Sequence, residues 1–258
     1  ALTGAISAVL VIQQGYPWPV GVAAALITGI VIGAWQGYWV AYFGIPAFIV
    51  TLGGMLAFRG AAQIALQNEQ IAPFPDGFRK LGSGFLPTFG TTGYEPLTML
   101  LGSLAALALV ISAIRQRLER RKYDLESEPF WWFVAKQAFA VALILLVTVQ
   151  LASYDGTPIV LVILGLLVVG YTAIMSRSVF GRHSYAIGGN LAAATLSGVK
   201  VRAVNFWIFV NMGFLAAVAG VVYSSRSNGA QPAAGNMFEL DAIAACFIGG
   251  AAVTGGVG

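Results

Sequence analysis

Apolar residues dominate the chain in long unbroken stretches, and polar residues collect in the intervals between them. A helix needs about 20 apolar residues to cross a hydrocarbon core of roughly 30 Å. Residues 20–43, 47–66, 96–114, 130–153, 159–175 and 203–223 fall in the workable range. Residues 1–12 and 240–258 read as partial spans, and the chain is expected to continue beyond both ends. Pro17 and Pro19 are read as breaking any helix ahead of the first full span. Gly44-Ile45-Pro46 separates the next two, with Pro46 suited to a first helical turn. The pattern predicts an all-α, polytopic transmembrane bundle forming a single domain, 1–258. A β-barrel would show short alternating segments instead.

Several spans carry irregularities. Ala25, Gly29, Gly33 and Gly37 recur every four residues, so one face of residues 20–43 lacks bulk and a neighbouring backbone can approach closely. That face serves static packing or a helix that slides during transport. Trp35, Trp39 and Tyr42 suit an aromatic belt at the membrane boundary. In residues 47–66, Gly53-Gly54 weakens the middle, and Arg59 sits inside an apolar run. An intramembrane Arg is costly unless paired, hydrated or snorkelling. Asn211 is the polar interior residue of residues 203–223; it lines a path or hydrogen-bonds a neighbouring helix. Between spans, the loop 67–95 holds a short amphipathic piece around Phe78 to Phe85, expected to lie at the interface. Glu239 and Asp241 open the last segment, where acids suit a helix N-terminus. Gly249-Gly250 and Gly255-Gly256 invite breaks after it.

Composition agrees: 58% of residues are hydrophobic and 9% charged, against about 25% charged in an average soluble domain. The mean hydropathy is +0.82. The basic residues sit beside apolar spans, so the net charge of +4 points to the lipid bilayer and not to nucleic acid. By the positive-inside rule the loops 115–129 and 176–202 are cytoplasmic, and 67–95, 154–158 and 224–238 are external. Two spans separate the two basic loops, so they share a face. Cys246 is the single cysteine and His183 the single histidine, which leaves no parts for an internal disulfide or a His-based metal site. There is no phosphate-binding G-x-x-x-x-G-K-[ST] loop. No catalytic, metal-binding or cofactor-binding residues are expected, and carboxylates are absent from span interiors.

The stretch Gly181 to Arg202 departs from ordinary loop composition. Residues 186–199 carry no charge, whereas a water-bathed loop favours charged and turn residues. Asn190 is placed as an N-cap, Leu191 to Ser197 gives two turns, and Gly198 suits the C′ position. Lys200 and Arg202 follow with the sign that favours a helix C-terminus. A short, uncharged helix outside the bilayer fits a partner's groove or folds back on its own bundle.

Three blocks then carry a family resemblance: GRHSYAIGGNLAAATLSG from Gly181, AQPAAGNMFELDAIAACFIGG from Ala230 to Gly250, and GIPAFIVTLGGMLAFRG from Gly44 to Gly60. Together they resemble the permease subunits of bacterial ABC sugar importers of the ribose/xylose type, the xylose-type permeases above all. The resemblance implies an inner-membrane subunit for a pentose or related monosaccharide, with the short helix as a cytoplasmic coupling helix. ATP would be bound by separate cytoplasmic ABC ATPase subunits, contacted through Gly188, Gly189, Asn190, Ala193, Leu196 and Gly198. A periplasmic sugar-binding protein and a second permease copy in a homodimer are the other implied partners. Thr51, Gly53, Gly54 and Asn211 are the candidate translocation-path residues. Alternatives are a secondary carrier or channel for a small polar solute and, within the same class, a branched-chain amino-acid permease.

Overall fold

In the computed structural model, residues 1–87, 95–122 and 129–251 are described. They form eleven helices among the described residues, and two isolated antiparallel bridges, Ile71 with Ala230 and Phe85 with Pro158, are the extended pairings between them. Six helices are long and apolar enough to cross a membrane. The chain divides into two compact units, one of Ala1–Ser83 with Ile163–Gly258 and the other of Gly84–Val162.

The first unit is built on a helix crossing. Helix α1 (Leu2–Ala8) runs into a π-helical turn at Val9–Gln13, and α2 (Trp18–Phe43) follows. The α2 helix starts earlier than the prolines suggested, because Pro17 is its N-cap and Pro19 falls in the first turn, where a missing N–H costs nothing. Its buried stripe is Gly21, Ala25, Gly29, Gly33, Gly37 and Ala41. This stripe meets α10 (Val201–Arg226). A Cβ on Gly29 would collide with Ala217, one on Gly33 with the Phe209 carbonyl, and one on Gly213 with the Gly29 carbonyl. Small residues thus bring two backbones together where no side chain fits between them. In this structure the four-residue repeat packs directly against α10.

Helix α1 joins the same crossing. Gly4 abuts Ser224, Gly220 abuts Thr3, and the Ser7 hydroxyl donates to the Gly21 carbonyl at 3.0 Å. Ala5, Ala8, Val11, Ala25, Leu66, Phe78 and Val221 form part of one buried cluster. Helix α3 (Ala47–Ala65) is continuous through Gly53-Gly54, so the glycine pair does not weaken the helix to the point of a break.

The amphipathic piece of the 67–95 loop is helix α4 (Asp76–Ser83). One face of it is docked on α10. Phe78 is fully buried and stacks on Phe74 with ring centroids 4.0 Å apart. The Ser225 hydroxyl accepts from the Gly82 N–H at 2.6 Å and donates to the Phe78 carbonyl at 2.7 Å. Ile71 and Ala230 exchange backbone hydrogen bonds at 3.1 and 3.0 Å, and the Phe74 N–H donates to Asn228 Oδ1 at 3.1 Å. Burying one aromatic face and satisfying the loop backbone hold so short a helix in place.

In the second unit, α5 (Pro96–Lys122) pairs with α6 (Phe130–Ala152). Gly102 lies against Thr148. The sequence reading ended this span at Ile114 and treated 115–129 as a loop; the helix continues through the basic residues to Lys122. Arg and Lys are good helix formers, and basic charge suits a helix C-terminus. The Arg117 guanidinium lies over Phe130 and Phe133, 5.4 and 4.6 Å from the ring centroids, a cation–π arrangement. The acidic part of that segment, residues 123–128, and the glycine pair Gly255-Gly256 lie outside the described residues.

Helix α7 (Ile159–Arg177) leads to α8 (Val179–Gly189) and α9 (Leu191–Leu196), and α11 (Phe238–Ile248) follows α10. Glu239 and Asp241 occupy the first turn of α11, which ends at Gly249 with Gly250 at φ 92°. The 176–202 loop therefore contains two helices where one was expected. Ser178 caps α8, its side chain accepting from the Gly181 N–H at 3.1 Å.

Candidate functional site

Two places bear on function, and the first is α9. Asn190 sits between α8 and α9 in extended conformation, φ −155° and ψ 102°. Its Oδ1 accepts from the Ala193 N–H at 3.0 Å, which is an N-cap bond. After Leu196 the chain turns at Gly198 with φ +81°, a conformation glycine adopts at little cost. The Gly198 N–H donates to the Thr195 carbonyl and the Val199 N–H to the Ala194 carbonyl. Local chemistry thus bounds α9 at both ends. Ala194 is buried, while Leu191, Ala193 and Thr195 are exposed and Leu196 is 90% exposed. Gly189 is exposed and Gly188 half-buried, both inside the last turn of α8. All six candidate coupling residues lie on one short segment, and its outward face is small and uncharged.

Beside α9, the start of α10 borders two shallow cavities. Phe180, His183, Lys200 and Trp207 are among the residues lining one. Tyr42, Thr195, Lys200 and Arg202 help line the other. This surface is basic and aromatic around an uncharged helix.

The second place is a cavity of about 550 Å³ bounded by α1, α2, α3, α10 and α11. Of the four candidate path residues only Thr51 lines it. The Thr51 hydroxyl donates to its own helix, to the Ala47 and Phe48 carbonyls at 2.9 and 3.2 Å. Gly53 faces open space. Gly54 is buried against the Gln36 amide, and a Cβ there would collide with Gln36 Nε2. Asn211 is elsewhere: its Oδ1 accepts from the Tyr171 hydroxyl of α7, the helix-to-helix hydrogen bond that was one of its two readings.

Gln36, Phe58 and Glu239 also line this cavity, as does Arg59. The path set read from sequence contains none of these four. Gln36 had a visible signal, an isolated amide in an otherwise apolar span.

A helical bundle with six candidate membrane spans, a tightly packed small-residue crossing and an exposed capped helix between α8 and α10 is the architecture of a polytopic membrane protein. The family described as branched-chain amino acid transport system / permease component matches residues 1–257, and the chain belongs to it. It is a multi-pass bacterial inner-membrane protein. It is similar to the xylose transport system permease protein XylH of Escherichia coli (strain K12), with 39% identity over 257 residues, 100% of this chain and 64% of the relative. XylH of Haemophilus influenzae is 37% identical over 257 residues, 100% of this chain and 67% of the relative. The ribose import permease protein RbsC of Haemophilus influenzae is 30% identical over 258 residues, 100% of this chain and 60% of the relative. The chain thus spans under two thirds of the length of the Escherichia coli xylose permease. No solved structure matches it.

Proposed function

We propose that this chain is the membrane-spanning part of a permease subunit that imports a pentose, such as xylose or ribose, powered by separate cytoplasmic ATPase subunits. The observation that carries the reading is similarity along the whole chain to proteins named as xylose and ribose permeases. The geometry of α9 supports the choice of partner. A capped, uncharged helix with an outward Leu196 offers shape and apolar area to a groove on another protein. ATP binds to that partner; this chain contributes no phosphate site.

In this reading, closure of the ATPase subunits pushes on Gly188 to Gly198 and reorients α10. The cavity bounded by α2, α3, α10 and α11 then opens alternately to the two sides. A periplasmic sugar-binding protein delivers the solute, and a second copy of the permease completes the path. No bond in the solute is made or broken.

The test is uptake by the full-length protein reconstituted with its ATPase and binding protein. ATP-dependent accumulation of D-xylose or D-ribose supports the reading. Accumulation of leucine but not of either sugar transfers it to the amino-acid branch of the family. Uptake that survives loss of the ATPase and collapses with an uncoupler replaces it with a secondary carrier.

A further inference from the structure

The cavity in the first unit combines two kinds of wall. Phe48 and Phe58 contribute aromatic surface, while Gln36, Arg59 and Glu239 contribute planar polar groups from α2, α3 and α11. None of these three polar groups has a hydrogen-bond partner among the described residues. Its volume of about 550 Å³ lies in the range of small-molecule sites, which join apolar walls to a few convergent polar groups. Polar and ionisable groups within a membrane bundle mark solute paths more often than packing.

Gln36 differs from its neighbours in how it is held. It rises from α2 one turn beyond Gly33, where α2 is locked to α10, so its backbone is fixed. Its amide rests on Gly54, the one glycine of α3 where a Cβ would collide with it. The Thr51 hydroxyl proton is already used within α3, so Thr51 offers a passing solute only an acceptor. The Gln36 amide offers a donor and an acceptor at once, the combination that matches a sugar hydroxyl. It does so without a net charge, which keeps binding weak enough for release.

We propose that Gln36, seated against Gly54, is a hydroxyl-selecting contact on the sugar path, with Arg59 and Glu239 meeting further hydroxyls and Phe48 and Phe58 covering the sugar's C–H face. The proposal deepens the import reading and rests on it. A site built to hydrogen-bond a hydroxyl discriminates against the analogue lacking it, because its own polar groups are then left unpaired.

The experiment compares uptake of D-xylose with uptake of its monodeoxy analogues, using the full-length protein assembled with ATPase and binding protein. The binding protein's own preference is common to every variant and cancels. For at least one analogue, Gln36→Leu narrows the xylose-to-analogue ratio about threefold to tenfold, the worth of one hydrogen bond. Gly54→Ala, which displaces the amide without removing it, narrows the ratio for that same analogue. Ratios unchanged for every analogue in both Gln36→Leu and Gly54→Ala overturn the proposal. If Gln36→Leu does not assemble with the ATPase, Gln36→Met, close in size to Gln but without the amide, takes its place, and an unchanged ratio in that variant is equally decisive. Wild-type protein that accumulates no sugar with ATP removes the import reading itself, a result distinct from equal ratios in actively transporting variants.

Discussion

At the scale of single residues, the contacts that matter are short and local, or they cross between helices at places where one atom decides. Asn190 belongs to the first kind. Its side chain holds the start of α9 through the Ala193 N–H, so Asn190→Ala should destabilise that turn by about 1 kcal/mol, with Ser or Asp restoring most of it. Faster amide exchange at Ala193, with unchanged exchange in α10, is the expected readout. Ser225 belongs to the second kind. It is fully buried and bridges α10 to the Gly82 N–H and the Phe78 carbonyl. Ser225→Ala leaves both backbone groups without this partner and should cost about 1–3 kcal/mol, read as a lower unfolding temperature in detergent and earlier proteolysis near α4. The cap and the glycine turn of α9 were legible because each is set by residues within four positions of one another. The pairing of Gln36 with Gly54 was not, because it exists only once α2 and α3 are side by side.

At the scale of elements, the crossing of α2 and α10 is the most demanding. Gly29, Gly33 and Gly213 admit no side chain without displacing a backbone. Gly33→Leu should therefore separate the two helices and lower stability by several kcal/mol, in the manner of severe overpacking with loss of close contact (roughly 1–3 kcal/mol or more). Loss of monodisperse protein after detergent extraction is the expected result, and a stable, transport-competent variant would contradict the crossing. The α2 half of this interface was visible as a four-residue repeat. On α10, Gly213 and Ala217 meet α2, while Gly220 and Ser224 continue the small stripe against Thr3 and Gly4 of α1; small residues among large ones in an apolar run hide their face until a partner identifies it. Helix α8 was missed for the opposite reason. Gly181, Gly188 and Gly189 argue against a helix on propensity, yet Gly181 is buried directly against the Met175 backbone, where a Cβ would collide. Tertiary contact chose glycine there, and propensity lost. The α9 element tests the partner reading: Ala193→Arg places a charge on its exposed face, and co-purification with the ATPase and sugar uptake should each fall about tenfold or more, the cost of burying an unpaired charge at an interface.

At the scale of the whole molecule, the six long apolar helices among the described residues followed from hydropathy alone, because lipid obliges every spanning segment to satisfy its backbone internally. The extent of each helix did not, since α5, α7 and α10 continue into charged residues that hydropathy assigns to loops. Sidedness gives a direct check. In a Cys246→Ser background, Leu196→Cys should react with an impermeant maleimide only from the cytosolic side, and Arg79→Cys only from the opposite side. Labelling of Leu196→Cys from the external side would overturn the reading of α9.

The seam between α2 and α10 has a mechanical corollary. Helix α10 spans 26 residues, about 39 Å at 1.5 Å per residue, from the turn after α9 to the serine that clasps α4. Because Gly29, Gly33 and Gly213 leave no room between the backbones along that seam, we expect α2 to travel with α10 as a single stiff beam. On that expectation a nudge at α9 would arrive at the far rim, where the Ser225 clasp ties α4 to the beam's end.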